Sequence, residues 1–111
     1  MKKELIKYDD FDKLDLRVGE IKTAINLEKS QKLLLLTVDL GEEYGTVEIL
    51  AGIALQYTPE QLIGNKYIFV ANLEPRPMMG KVSNGMMLAG GDETVYLTQV
   101  SADIPNGTPL H

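Results

Sequence analysis

Residues 58–71 read Thr58-Pro-Glu-Gln-Leu-Ile-Gly64-Asn-Lys66-Tyr-Ile-Phe-Val-Ala71, and this stretch decides the fold. Thr58 is a good N-cap, Pro59 occupies the first helical position, and Gln61 completes a Thr-x-x-Gln capping box. Gly64 ends the helix after about one and a half turns, and a strand follows from Lys66 to Ala71. The stretch therefore predicts a very short helix that leads directly into a strand.

Short apolar segments flank this helix, separated by turn signals at roughly ten-residue intervals, which indicates a barrel or a sandwich. Before the helix, the pattern predicts a helical turn through Phe11, Lys13 and Leu14 that is capped by Asp9 or Asp10. It then predicts strands over residues 17–25 (with a bulge or bend at Gly19), 33–40 and 47–51. After the helix it predicts strands over residues 66–71, 86–89 and 95–98.

This order of elements is that of an all-β OB-fold, a five-stranded Greek-key barrel with a short helix between strands 3 and 4. N- and C-terminal extensions surround the barrel. The tail from Ile104 to His111 is expected to cover a sheet edge or to pair with a second chain.

Composition predicts one globular domain over residues 1–111. Apolar residues make up 44% and charged residues 24% of the chain, as in ordinary folded domains. The sequence has no cysteine, which excludes a disulfide framework and thiolate zinc sites. The longest apolar runs, such as Leu33–Leu36, are far too short for a membrane span or a signal peptide, so we expect a cytoplasmic protein without membrane contact.

Charge is unevenly distributed along the chain. The net charge is −5, yet residues 1–32 hold eight Lys and Arg against seven acids. Residues 33–111 hold only Lys66, Arg76 and Lys81 against nine acids. Two of these three cations flank one loop rich in Pro, Gly and Met. The distribution therefore allows a local basic patch, while the net charge argues against tight, indiscriminate binding to nucleic acid.

Nucleophilic catalysis is not expected. The only histidine is His111 and there is no cysteine, so the usual pairs of nucleophile and base cannot form. The acidic residues from Asp9 to Asp15 occupy mixed phases of a helical turn, which favours capping and solvation over a metal site. Gly90-Gly91-Asp92 is a turn without the Lys-Ser/Thr of a phosphate loop. We expect no enzyme, no cofactor and no metal.

The loop over residues 72–85 carries the most distinctive chemistry. Pro75 stiffens it, whereas Gly80 and Gly85 allow positive φ or the close approach of a ligand. Asn72, directly after a strand, is expected to bond nearby backbone and to pin the loop. A hairpin loop in which the prolines and glycines supply only turn chemistry is the alternative interpretation.

Cationic and hydroxyl groups on this loop are the candidate anion contacts. Arg76 and Lys81 can meet phosphates, and Ser83 with backbone N–H groups of a Ser-Asn-Gly turn can hold an anion. Lys32 begins the predicted second strand, and it is either a phosphate contact or a solvated surface lysine. Four of the five methionines lie within residues 78–87. Strand alternation predicts that one of Met86 and Met87 faces inward, and the polarisable methionine that faces outward could contact a ligand.

Three stretches together resemble the tRNA-binding domain family, which includes free-standing tRNA-binding proteins, CsaA secretion chaperones and the C-terminal domain of many methionyl-tRNA synthetases. They are residues 11–21, Lys32-Leu33 with residues 38–41 and 51–54, and residues 70–89, so the similarity covers about residues 9–90. Length and residues 28–33 most resemble archaeal methionyl-tRNA synthetase-related proteins. The residues of the third stretch at the family's spacing are Asn72, Pro75, Gly80, Ser83, Gly85, Met86 and Leu88.

The resemblance implies an OB-fold that binds folded tRNA by shape and backbone contacts, without catalysis, as a homodimer and in a role that assists a methionyl-tRNA synthetase. It strengthens the expectation of RNA contacts at Lys32, Arg76, Lys81 and Ser83, and it favours Met86 as the methionine that faces the RNA. The predicted second and third strands carry no aromatic ring, and Tyr67 and Phe69 are expected in the core, which favours structured RNA over a stacked single strand.

The chain departs from the family pattern in two places. Residues 27–31 replace a run that is often His-Pro-x-Ala-Asp, and Val47 stands where an arginine often opens the third strand. Two other functions therefore stay open. One is a CsaA-like export or folding chaperone that holds peptides on the methionine-rich surface, and the other is a protein–protein docking module.

Overall fold

The computed structural model describes all 111 residues, and its strands form a nearly closed antiparallel barrel. The all-β prediction is confirmed, with one short helix between the third and fourth strands. The elements are α1 (Tyr8–Asp12), β1 (Leu16–Asn26), β2 (Leu34–Asp39), β3 (Thr46–Ala51), α2 (Pro59–Leu62), β4 (Lys66–Val70), β5 (Arg76–Met78), β6 (Lys81–Ser83), β7 (Met86–Met87), β8 (Ala89–Gly90), β9 (Tyr96–Leu97), β10 (Gln99–Val100) and β11 (Pro109–Leu110).

The two halves of the long strand β1 pair with different neighbouring strands. Its first half, Leu16 to Glu20, pairs with β4, and its second half, Glu20 to Asn26, pairs with β2. The main sheet has the order β10-β4-β1-β2-β3, and β7 and β11 add to β4 and β1. The register with β2 shifts between Ile21 and Thr23. A bulge in this region bends the strand so that one strand can belong to both sides of the barrel.

The bulge predicted at Gly19 is wrong. Gly19 pairs regularly with Tyr67, and it is buried where strands approach closely. A Cβ atom at this position would lie 2.6 Å from Val38 Cγ1 and 2.8 Å from Phe69 Cδ1. Glycine is therefore required by packing inside the barrel rather than by a bend.

Helix α2 forms as the sequence predicts. The Thr58 N–H donates to Gln61 Oε1 over 2.7 Å, which is the reciprocal half of a capping box. Gly64 adopts φ 88° and ends the helix. Leu62 is 1% exposed and joins the core with Ile21, Leu36, Ile49, Tyr67 and Phe69. The tyrosine and the phenylalanine are therefore in the core, as predicted.

Helix α1 differs from the prediction at both ends. It begins at Tyr8 with Lys7 as the N-cap, and it ends at Asp12 rather than continuing through Leu14. Asp10 acts from inside the first turn, where its carboxylate accepts the Lys7 N–H at 3.3 Å. No residue of α1 is buried. This helix has five residues, and no helix of the structure is long and apolar enough to cross a membrane.

The C-terminal tail covers an edge of β1 in the same chain. Strand β11 pairs with Leu16 and Arg17, and the Gly107 N–H donates to the Val18 carbonyl at 2.7 Å. The Arg17 guanidinium donates to Gly107 O and is paired with Asp15 and Glu43. The hydrogen bonds to these carboxylates raise the pKa of Arg17, so this cation has a structural role.

Candidate nucleic-acid interface

The predicted loop contains a β-hairpin made of β5 and β6. Arg76 lies opposite Ser83 and Met78 lies opposite Lys81. The connecting residues Met79 and Gly80 have φ 51° and 78°, so both central residues of this two-residue turn have positive φ. Of the two roles allowed for Gly80, positive φ or the close approach of a ligand, the structure shows the positive φ. A methionine at positive φ is uncommon, because its Cβ is crowded by the backbone there.

Ser83 joins this hairpin to the barrel. Its side chain is 0% exposed, and its Oγ accepts the Leu50 N–H at 3.0 Å while its hydroxyl donates to the Gly85 carbonyl at 3.1 Å. The next residue continues the closure, since the Asn84 N–H donates to Glu48 O at 2.9 Å. In this position Ser83 cannot meet a phosphate, which corrects the predicted contact. Its hydroxyl oxygen instead serves as the acceptor for the Leu50 N–H of β3, a role that a backbone carbonyl of a neighbouring strand would otherwise fill.

Two other residues of the loop fix its course. Gly85 has φ 129°, and a Cβ atom there would lie 2.9 Å from Val70 O, so only glycine fits without strain. Asn72 bonds the backbone, as predicted, but its partners are distant in sequence. Its Oδ1 accepts the Asp15 N–H at 2.8 Å and its Nδ2 donates to Lys13 O at 2.7 Å. Asn72 therefore fastens the segment between α1 and β1 to the end of β4.

A groove of about 370 Å³ opens between the hairpin and the end of β3. Arg76, Met78 and Met86 line it, and Arg76 is its only charged lining residue. Met86 is 37% exposed whereas Met87 is 8% exposed, so the predicted alternation of the two methionines is confirmed. We call this cavity the methionine groove. Its other lining residues are Leu33, Leu50, Ala51, Gly52, Ile53, Met87, Ala89 and Val95.

A smaller recess of about 210 Å³ adjoins the methionine groove, because Gly52, Ile53 and Val95 line both. Lys32 lies in this recess, two residues before β2 rather than at its start. Asp92 and Glu93 line the same recess and reduce its positive potential. The structure thus brings Lys32 to the edge of the groove, although not into the strand that the sequence predicted it to begin.

The three candidate cations are available to a ligand. Arg76, Lys81 and Lys32 are exposed, and none of them forms an ion pair within the chain. Lys81 lies at the free end of the hairpin beside Met78. The arrangement joins polarisable apolar side chains to unpaired cations. It can bind an anionic backbone at its rim and apolar or planar groups in the groove.

Most lining residues of the groove, Gly52 and Val95 among them, were not among the candidate site residues from sequence. Gly52 follows β3, and Val95 precedes β9, so only the closed barrel brings them together. Gly52 lies in the resembling stretch 51–54, which was its one signal. No three His, Asp or Glu side chains are grouped so that they could hold a metal ion.

Residues 16–109 match the family model described as "Putative tRNA binding domain". The chain belongs to the tRNA-binding domain family. This domain is 47% identical over 109 residues to a methionine–tRNA ligase of Methanococcus aeolicus, a match that covers 98% of the chain and 16% of the ligase. A methionine–tRNA ligase of Methanococcoides burtonii is also 47% identical, again over 16% of its length. The domain therefore spans about one sixth of the length of these relatives.

Solved structures support the same assignment. The fold of this tRNA-binding domain matches a MetRS-related protein from Pyrococcus horikoshii with a TM-score of 0.91 and 38% identity, covering 98% of this chain and 100% of that one. It matches the chaperone CsaA from Bacillus anthracis with a TM-score of 0.88 and 33% identity, covering 97% and 100%. The resemblance inferred from sequence is thereby confirmed, and the OB-fold with it.

Proposed function

We propose that this domain binds folded tRNA without catalysis, through the methionine groove and the β5–β6 hairpin beside it. The observation that carries the proposal is the convergence of Arg76, Met78 and Met86 on one groove in a chain of the tRNA-binding domain family. The family is described as a binding domain, whereas the similar ligases are whole enzymes of which the chain covers a small part.

Each residue has a physical role in this proposal. Arg76 and Lys81 on the hairpin contact phosphates, and Lys32 adds a weaker contact from the recess. Met86 packs beside them against sugars or base edges. Ser83, with Asn72, Pro75, Gly80 and Gly85, maintains the shape of the hairpin rather than touching RNA. Because no aromatic ring lines the groove, recognition there rests on shape and backbone.

The N-terminal segment supports a homodimer. Beyond Met1, its exposed apolar side chains are Leu5, Ile6, Tyr8, Phe11 and Leu14. Such a group of exposed apolar side chains is typical of an interaction site, and a second copy of the chain would cover it. Two copies would present two grooves to one tRNA and offset the small number of cations. Sedimentation equilibrium should give twice the chain mass of 12.3 kDa.

The test compares wild type with Arg76→Ala plus Lys81→Ala in a gel shift with total tRNA, at about 50 mM and about 200 mM salt. Each phosphate contact that is lost should reduce the slope of log affinity against log salt by about 0.9 or less. Affinity should fall by roughly tenfold or more for all tRNAs, because charge-assisted hydrogen bonds are worth about 1.5–3 kcal/mol each.

Lys13→Ala plus Lys22→Ala is the matched control, since it removes the same charge from positions outside the groove that are paired with Asp10 and Glu20. If both double variants bind tRNA like wild type, with the same salt slope, the site lies elsewhere. If both lose affinity equally, binding follows net charge and the groove has no special role.

A peptide-binding chaperone is the second candidate, favoured by the structural likeness to CsaA and by the apolar lining of the methionine groove. Binding to an unfolded peptide should persist at high salt, whereas tRNA binding should weaken steeply. The relation to methionine–tRNA ligases also supports a methionyl-tRNA synthetase as a partner. Co-purification with that enzyme would indicate a docking role, which is compatible with tRNA binding.

A further inference from the structure

A second cavity, of about 360 Å³, lies beside α2, away from the methionine groove. Three of the five tyrosines of the chain line it, together with two glutamines and two leucines, and no charged residue does. We propose that this tyrosine cavity binds one unstacked nucleobase. The proposal rests on the proposed function where the base belongs to the bound RNA, and a free nucleoside offers the same chemistry. The lining residues are Tyr57, Gln61, Leu62, Tyr67, Tyr96, Leu97 and Gln99.

The three tyrosine rings of the cavity differ in their exposure and in the contacts that hold them. Tyr67 is 2% exposed and forms the floor with Leu62. Tyr57 is fixed by its hydroxyl, which donates to the Val95 carbonyl at 2.7 Å. Tyr96 is 64% exposed on the short strand β9. A rigid apolar floor with one exposed ring at the mouth suits a flat ligand that stacks on Tyr96, as bases do on aromatic side chains of RNA-binding proteins.

Two amide side chains supply hydrogen-bonding groups beside these rings. Gln99 lies opposite Tyr67 in the antiparallel register, so both point to the same side of the sheet. The Gln99 side chain has no partner within the chain, and Gln61 uses its Oε1 on the Thr58 N–H, which leaves its NH₂ group free. A base edge presents both donors and acceptors to such amides.

The chemistry of the lining selects the class of ligand. Without a charged residue, the cavity has nothing to balance a phosphate or a carboxylate, and burial raises the pKa of Tyr67, so that its hydroxyl stays neutral. An aromatic side chain of a protein could fill the space, but phenylalanine would leave both amides without partners, and tyrosine or tryptophan has only one polar group to offer them. A nucleobase can stack on the exposed ring and form hydrogen bonds with both amides. Its size also fits, since ligand pockets begin at roughly 300 Å³.

Saturation-transfer difference NMR with adenosine tests the cavity directly, because this method detects weak ligands. Wild type should transfer saturation to the base protons of adenosine. Tyr96→Ala should reduce the signal several-fold. Tyr96→Phe, which keeps the ring, should not reduce it, and neither should Ile25→Ala, which removes an exposed apolar side chain on β1 away from the cavity. Stronger transfer to p-cresol with none to adenosine would overturn the proposal in favour of an aromatic side chain from a protein.

A gel shift with tRNA distinguishes the two sources of the base. A drop of about tenfold in tRNA affinity for Tyr96→Ala that Tyr96→Phe restores would assign the cavity to an RNA base. Unchanged tRNA affinity with a Tyr96-dependent adenosine signal would assign it to a free nucleoside. If neither measurement depends on Tyr96, the proposal is overturned.

The same two measurements separate this inference from the proposed function. A wild-type chain that binds adenosine through Tyr96 but does not bind tRNA would refute the proposed function and leave the cavity assigned to a nucleoside. Conversely, tRNA binding that needs Arg76 and Lys81, with no effect of Tyr96 on either ligand, would refute the tyrosine cavity alone.

Discussion

Replacing Ser83 by alanine removes the acceptor of the Leu50 N–H and the donor to the Gly85 carbonyl, in a place where the serine is 0% exposed. Water cannot replace these partners without opening the contact between the hairpin and β3. A buried donor left unpaired costs about 1–3 kcal/mol, so the free energy of unfolding should fall by that amount. For a domain of this size the melting temperature should drop by roughly 5–15 °C.

Urea unfolding followed by circular dichroism measures this effect. The midpoint should fall by roughly 1 M with an unchanged m-value. Ser101→Ala is the control, since its hydroxyl oxygen accepts one backbone N–H in an exposed turn and its removal should change stability by less than about 0.5 kcal/mol. The reasoning would be refuted by a Ser83→Ala variant with an unchanged midpoint and a weakened affinity for tRNA, because that result would make Ser83 an RNA contact rather than a structural residue.

Two further predictions concern stability. Gly19→Ala should cost about 1–3 kcal/mol, since its Cβ would lie 2.6 Å from Val38 Cγ1, whereas Gly90→Ala meets open space; equal melting temperatures for the two variants would contradict this. Hydrogen bonds from Arg17 hold the pKa of Asp15 below its ordinary 3.8. The contribution of the Asp15 carboxylate to the free energy of unfolding is therefore complete above that pH, and it is lost as pH falls through the lower, folded-state pKa. From about pH 5 to about pH 2, urea midpoints should fall more for wild type than for Asp15→Asn; parallel declines would argue against it.

Elements with local signals were predictable from sequence. Helix α2 is one such element, because its N-cap, capping box and terminating Gly64 all lie within seven residues. Gly19 was misread, because its reason to be glycine lies in Val38 and Phe69, which only the closed barrel brings near. The backbone bonding of Asn72 was predicted but its partners were not, because they are 57 and 59 residues away along the chain.

The candidate site shows the same division. Strand alternation indicated that one of Met86 and Met87 faces inward, and the family resemblance favoured Met86 as the outward one. Turn chemistry allowed the positive φ of Gly80. Ser83 could not be placed, because its burial depends on Leu50, 33 residues away. The tyrosine cavity gave no signal, since its rings come from three separate parts of the chain, and a stretch of sequence does not show which rings will share a cavity.

The position of β1 has a consequence for the order of folding. Its pairs with β2 join residues as close in sequence as Asn26 and Leu34, while those with β4 and β11 join Leu16 to Val70 and to Leu110. Closing a longer loop costs more entropy, so the β1–β2–β3 meander should assemble first, and β4 and β11 should pair with β1 later. The methionine groove needs both β3 and the later hairpin. The surface proposed to bind RNA is then completed late, so a partly folded chain lacks the methionine groove and should not bind RNA there.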